Sequence, residues 1–252
     1  MADLAVKTAL ITGGGSGVGA VMARMLADAG VKVAVSGRRA DVLAEVANHE
    51  NITAIVADVT DETSVRDMFT TMVDVVGTPH LVIANAGMAE SAPVGKTSID
   101  LWNRTMDVNL TGTFLTFREG LAVMDKSRSG RLISIASTAG LKGYAYVSAY
   151  CAAKHGVVGL VKGMAAELAS SAITVNAVCP GFMETPMLEK SVENIVAKTG
   201  MSRDDARASL AKINPQNRFI QPDEVANTVM WLCSANAASV TGQTISVSGG
   251  EI

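Results

Sequence analysis

Val6-Lys7-Thr8-Ala9-Leu10-Ile11-Thr12, running into Gly13-Gly14-Gly15-Ser16-Gly17-Val18-Gly19 and then AVMARMLADAG, decides the fold. An aliphatic, β-branched run enters a turn rich in glycine and leaves as an amphipathic helix. Glycines there permit positive φ and a close backbone approach to a pyrophosphate, and the following helix offers free N–H groups and a partial positive charge. A glycine cluster alone reads equally as a tight turn with close helix–strand packing. Strand before and helix after is the context of a dinucleotide site.

Outward from that turn the alternation continues. Strand-like runs recur at 31–37, 52–58, 80–87, 130–137, 173–180 and 243–249, and helical patterns fall near 17–29, 39–48, 61–76, 98–126, 148–171, 186–213 and 222–235. Strand and helix in such regular turn predict right-handed crossovers and a parallel sheet covered on both faces. The runs are nearly continuous in apolar residues, as strands buried on two sides are. The expectation is an α/β fold: a doubly wound, Rossmann-type sheet of seven parallel strands with helices on both faces. With no linker, composition break or repeat, residues 1–252 read as one domain. The least regular stretch, 184–221, has no strand and carries Pro186, Gly200 and Pro215, the profile of a helical lid over a substrate.

Composition excludes other classes. The 252 residues are 48% hydrophobic, and 21 Lys+Arg stand against 24 Asp+Glu for a net charge of −3. No run approaches the ~18 apolar residues of a membrane helix, and no basic face is offered to a nucleic acid. MADLAVKTALITGG lacks the pattern of a secretory signal, so the expected location is the cytoplasm. Cys151, Cys179 and Cys233 read as buried free thiols, and His49, His80 and His155 have no metal-ligand spacing, so no metal is expected.

The end of the second strand bears on which dinucleotide. An acidic residue there holds the ribose hydroxyls of NAD, whereas a 2′-phosphate calls for cations. Here the residues are Ser36-Gly37-Arg38-Arg39, and Arg38 offers a planar, permanently charged fork. NADP(H) is favoured, with NAD(H) left open.

Farther along, Ser137 ends the fifth strand, and Tyr150-Cys151-Ala152-Ala153-Lys154 sets a phenol and an amine four residues apart on one helix face. Hydride reduction of a ketone leaves an alkoxide that must take a proton. A phenol of pKa ~10 does this poorly unless a nearby cation favours its phenolate. Lys154 supplies such a charge, and Ser137 a hydroxyl for the substrate oxygen.

The spacing Gly13-x3-Gly17-x-Gly19, with Asn109, Ser137, Tyr150 and Lys154, resembles the short-chain dehydrogenase/reductase family along essentially the whole chain. The resemblance implies that Thr12, Gly13, Gly15, Ser16, Gly17, Val18 and Gly19 hold the cofactor pyrophosphate and that Asp58 and Val59 sit by the adenine. It implies that Asn85, Ala86 and Gly87 steady the sheet near the cofactor, Pro180 and Gly181 pack on the nicotinamide ring, and Thr185 binds its carboxamide. Tyr150 becomes the general acid/base. Lys154 lowers its pKa and holds the ribose, Ser137 orients the carbonyl, and Asn109 anchors a water. Gly37 stands where the NAD-type Asp of the family falls, and Ser16 where many NADP-dependent members carry a second cation. Ala84 replaces the more usual Asn.

Met88, Ala139, Gly140, Tyr144, Met183 and the lid from Met187 to Ile213 are expected to face the substrate. The lid is similar in length to those of aromatic-polyketide ketoreductases and 3-hydroxybutyrate dehydrogenases. The latter grip a free carboxylate with His and Lys where this chain has Ala139 and Val147. A neutral ketone or a 3-oxoacyl thioester therefore fits better, although Lys142 is available to a charged group. Alternatives are an NAD-dependent 3-hydroxy acid or alcohol dehydrogenase, a non-catalytic NADP(H)-sensing module and a structural protein on the same scaffold. Family members are commonly homotetramers built through the helices near 101–126 and 148–171 and the C-terminal strand. Ala149, Ala152, Ala153, Gly156 and Gly159 would allow close helix approach.

Overall fold

The computed structural model describes residues 4–252. Its strands are β1 (Thr8–Thr12), β2 (Lys32–Gly37), β3 (Ile52–Val56), β4 (Leu81–Ala84), β5 (Gly130–Ile135), β6 (Ile173–Pro180) and β7 (Thr244–Val247). The helices are α1 (Gly17–Asp28), α2 (Ala40–Val46), α3 (Glu62–Val75), α4 (Ile99–Met106), α5 (Gly112–Val123), α6 (Ser148–Glu167), α7 (Pro186–Thr199), α8 (Arg203–Ala211) and α9 (Pro222–Leu232). All strand pairs are parallel, in the order β3-β2-β1-β4-β5-β6-β7. The order reverses between β1 and β4, so a crevice opens at their carboxyl ends.

The apolar strands serve two cores. Ala9 and Ile11 of β1, Val33 and Val35 of β2, and Leu81 and Ile83 of β4 pack under α1 and α9. Their neighbours Leu10, Ala34, Val82 and Ala84 face the opposite side, against α3, α5 and α6. The period of two along each strand thus divides its side chains between the faces. Cys151, Cys179 and Cys233 are free and buried. Among the described residues no helix is long and apolar enough to cross a membrane.

Two of the expected helices are interrupted. The pattern at 98–126 is broken by a π-helical turn, Asp107–Thr111, between α4 and α5. That at 186–213 divides at Gly200, whose φ of +72° ends α7 in the left-handed region. Ser202 then caps α8 by accepting from Asp205 N at 3.1 Å. The segment 184–221 is consequently more regular than its composition suggests. α7 and α8 enclose a small core of their own around Leu188, Val192, Ala206 and Phe219, and Arg207 pairs with both Glu184 and Glu189.

Candidate active site

At the carboxyl ends of β1, β2 and β3 lies a cleft of about 220 Å³. Gly13, Gly15 and Ser16 form one wall, Gly37, Arg38 and Arg39 the far end, Asp58 and Val59 a side, and Ala86 and Gly87 the inner rim. Ser16 precedes α1 with an extended backbone and makes no side-chain cap, leaving the first-turn N–H groups to an external acceptor. Dinucleotide phosphates fit this donor set and the two exposed guanidinium groups beside it. Arg38 Nη1 lies 4.0 Å from Asp58 Oδ2. Burial raises the Asp58 pKa, but bonds from Thr60 N and Oγ1 and the charge of Arg38 lower it further, so the carboxylate stays ionised.

The glycines of the turn divide their work. A Cβ on Gly13 would sit 2.9 Å from Ala86 Cα, and one on Gly19 would sit 2.4 Å from Gly13 O and 2.6 Å from Asn85 Nδ2. Packing therefore demands these two, apart from any ligand. Asn85 Nδ2 donates to Thr12 O at 2.9 Å and Gly13 O at 3.1 Å, while Thr12 Oγ1 accepts from Asn85 N and Ala86 N. Asn85 and buried Thr12 thereby latch the turn to β4. Gly17, with φ +53°, turns its Cα toward Thr185, whose Cγ2 is 3.6 Å from where a Cβ would be. The glycine turn and the loop after β6 meet at that point.

Ser137, Tyr150 and Lys154 converge from the end of β5 and the start of α6. Lys154 is 3% exposed and donates from Nζ to Ile135 O at 3.0 Å, with Nζ 5.7 Å from the Tyr150 ring centroid. Burial lowers its pKa to about 8. Burial also pushes Tyr150 up to about 12, against the opposing effect of the Ser137 hydroxyl. Desolvation therefore outweighs every effect that favours the phenolate here, while the Lys154 ammonium is bonded to a carbonyl.

Asn109 lies on the neighbouring π turn. It is fully buried inside the π turn, where its Nδ2 donates to Met88 O and to Thr105 O, each at 2.9 Å. Its Oδ1 accepts from Met88 N at 3.2 Å, and its carbonyl accepts from Thr113 Oγ1 at 2.8 Å. With both amide donors taken, the side chain braces the loop after β4, and the carbonyl keeps a second lone pair.

The expected substrate residues separate. Met88 is the backbone partner of Asn109, and Ala139 is buried, donating from N to Ser137 Oγ at 3.1 Å. A Cβ on Gly140 would stand 2.7 Å from Lys154 O, so that glycine serves packing on α6. Met183 bridges to Ile220 and packs on the core beneath α9. Tyr144 does reach the loops above β5 and β6, but its hydroxyl is bonded to Thr138 and Glu251, and its ring meets Phe182 edge-on at 6.2 Å. Lys142 pairs with Glu251 at 2.9 Å. Phe182 and Glu251 were not anticipated, because one follows a Pro-Gly turn and the other stands in no motif. The small residues on α6 are largely spent inside the chain: a Cβ on Gly156 would strike Leu110, and Ala149 and Ala153 are buried, whereas Gly159 faces open space.

A parallel doubly wound sheet, a glycine turn at its switch point and a Ser/Tyr/Lys cluster one strand away define a nucleotide-dependent oxidoreductase of the Rossmann type. The family model for short chain dehydrogenases matches residues 7–195, and the chain belongs to that family. It is 36% identical to a D-beta-hydroxybutyrate dehydrogenase of Rhizobium meliloti, over 97% of this chain and 98% of that one. It is 37% identical to a 3-oxoacyl-[acyl-carrier-protein] reductase of Synechocystis, over 100% and 99%. A crystal structure of an actinorhodin polyketide ketoreductase with NADPH superposes with a TM-score of 0.93 at 33% identity, covering 100% of this chain and 99% of that one.

Proposed function

We propose that the protein transfers a hydride between NADP(H) and a ketone or secondary alcohol, the substrate being a 3-oxoacyl thioester or another neutral ketone. The observation that carries this reading is the placement of Ser137, Tyr150 and buried Lys154 at the same carboxyl end of the sheet as the Arg38-lined cleft. The pyrophosphate would lie on Gly15, Ser16, Gly17 and Val18, the 2′-phosphate on Arg38 and Arg39, and the nicotinamide near Pro180, Gly181 and Thr185. When bound, the cofactor supplies or accepts the hydride.

The chain's own residues handle the proton. With a pKa near 12, Tyr150 is protonated at neutral pH and stands ready to donate to the oxygen of a carbonyl receiving hydride. Ser137 donates a hydrogen bond to that oxygen and fixes its position. Lys154, still mostly protonated at pH 7, stabilises the phenolate left behind and binds the cofactor ribose. A neutral substrate agrees with the capture of Lys142 by Glu251, which takes away the cation a free carboxylate would need.

We read residues 1–252 as one unit with 184–221 as its lid. Asn194 Nδ2, bonded to Ser91 Oγ at 2.6 Å, ties that lid to the loop after β4. We also propose a homotetramer in the cytoplasm, supported by exposed Ile99, Trp102 and Phe114 on α4 and α5. Sedimentation finding a stable monomer would refute the tetramer. A panel of ketones and oxoacyl thioesters with NADPH and NADH tests the reaction. Turnover of a neutral ketone with NADPH is expected, and absence of turnover throughout the panel would contradict the reading.

A further inference from the structure

Loops following β5, β6 and β7 meet beside the catalytic residues. Lys142, four residues past Thr138, reaches Glu251 Oε1 at 2.9 Å and stacks 5.0 Å from the Tyr144 ring centroid. Glu251 comes from the last turn of the chain, yet its side chain is only 2% exposed. Its Oε1 also accepts from the Tyr144 hydroxyl, which is 2.6 Å from Thr138 Oγ1. Oε2 is buried without a partner, 3.1 Å from where a Cβ on Gly181 would stand. A carboxylate so nearly desolvated is costly unless paired, and its pairing consumes the cation that the loop after β5 brings to this edge of the sheet.

We infer that Glu251 determines specificity by pairing with Lys142 and so withholding that cation, so that the site disfavours substrates carrying a free carboxylate and admits neutral ketones. Discrimination is a difference of affinities, and denying the unwanted partner its counter-ion creates it as effectively as contacts to the wanted one. The arrangement also predicts what lies one substitution away. With the charge of Glu251 removed, Lys142 becomes an unpaired ammonium at the sheet edge where substrates bind, and an acid gains a partner. This inference rests on the ketone-reducing reading above.

The test compares 3-oxobutanoate with its ethyl ester, using the full-length enzyme and NADPH. Wild type is expected to favour the ester in kcat/KM by about tenfold or more, equivalent to about 1.4 kcal/mol. Glu251→Gln keeps an acceptor for Tyr144 while removing the charge, and should raise the acid-to-ester ratio by about tenfold. The double variant Glu251→Gln/Lys142→Met should return that ratio toward wild type. An acid-to-ester ratio in Glu251→Gln within about twofold of wild type, or a wild type that prefers the acid, overturns the inference. Inhibition of wild-type ester reduction by butanoate and by butanamide gives a second measurement that does not depend on the folding of any variant. The amide should bind more tightly, and tighter binding of the acid would count against Glu251. Reduction of neither substrate would defeat the ketone-reducing reading and this inference with it, whereas reduction of the ester with an unmoved ratio defeats only the role of Glu251.

Discussion

Replacing Lys154 by Met should inactivate the protein and stabilise it relative to wild type by a margin that widens as pH falls. The ammonium is 3% exposed, and burial lowers its pKa from 10.5 to about 8. Below pH 8 the folded chain therefore carries a charge penalty of roughly 3 kcal/mol at this one group, at about 1.36 kcal/mol per pH unit. Between pH 8 and 10.5 the unfolded chain holds a proton that the native chain has lost, so wild-type stability rises with pH through that window. Met carries no such penalty. It leaves the Ile135 carbonyl without its 3.0 Å donor, a cost of about 1–3 kcal/mol that does not vary with pH. The difference between variant and wild type is consequently the clean quantity. It should shrink by roughly 2 kcal/mol from pH 7.5 to 9.5, read as about 4–8 °C in relative Tm for a chain of this size. Tyr150, raised from 10.0 to about 12, acts in the opposite sense above pH 10 and is common to both proteins, so the comparison stops below that pH. Paired thermal or urea unfolding at five pH values measures the slope. A difference flat to within ~0.5 kcal/mol would show that Lys154 does not carry the buried charge described.

Arg38→Leu should lower the ratio of kcat/KM with NADPH to that with NADH by about 10- to 100-fold, the worth of a hydrogen bond to a charged group; an unchanged ratio would remove Arg38 from the phosphate site. Gly19→Ala forces a Cβ to within 2.4 Å of Gly13 O and 2.6 Å of Asn85 Nδ2. Such overpacking costs about 1–3 kcal/mol, visible in Tm, and should weaken NADPH in a fluorescence titration. Gly159→Ala is the control: its Cβ meets nothing within 4 Å, and the helical position should gain roughly 0.5–1 kcal/mol in unfolding free energy.

Much of this was legible because periodicity and punctuation agreed. Each strand was apolar along its length, each crossover had helical spacing, and the glycine turn fixed which end of the sheet would matter. The seven-stranded parallel sheet followed from these patterns. Breaks within the helical patterns were hidden for a physical reason. The π turn at Asp107–Thr111 has the composition of the helices around it and exists because Asn109 supplies side-chain bonds to Met88 and Thr105. Such bonds are tertiary and leave no local signal. Gly200 was visible in the pattern, but whether it bent or ended the helix depended on the small core that α7 and α8 form together.

At the site, spacing brought out the residues that act as a unit, Tyr150 and Lys154 on one helical face. It could not say which neighbouring groups were already satisfied. Tyr144 and Lys142 looked available until Glu251, more than 100 positions away, proved to hold both. Gly13 and Gly19 illustrate the same limit, because glycines placed for a ligand and glycines required by packing read alike in a motif.

The measurement that tests the central claim most directly is Tyr150→Phe, taken through NADPH titration and single-turnover ketone reduction. Loss of one hydroxyl leaves the half-buried ring and the cleft at Arg38 in place, so NADPH affinity should stay within about threefold of wild type, less than ~1 kcal/mol. The chemical step should slow by about 10²–10⁴-fold or more, the share that a positioned proton donor contributes. A single-turnover rate within about tenfold of wild type, with NADPH still bound, would contradict Tyr150 as the acid.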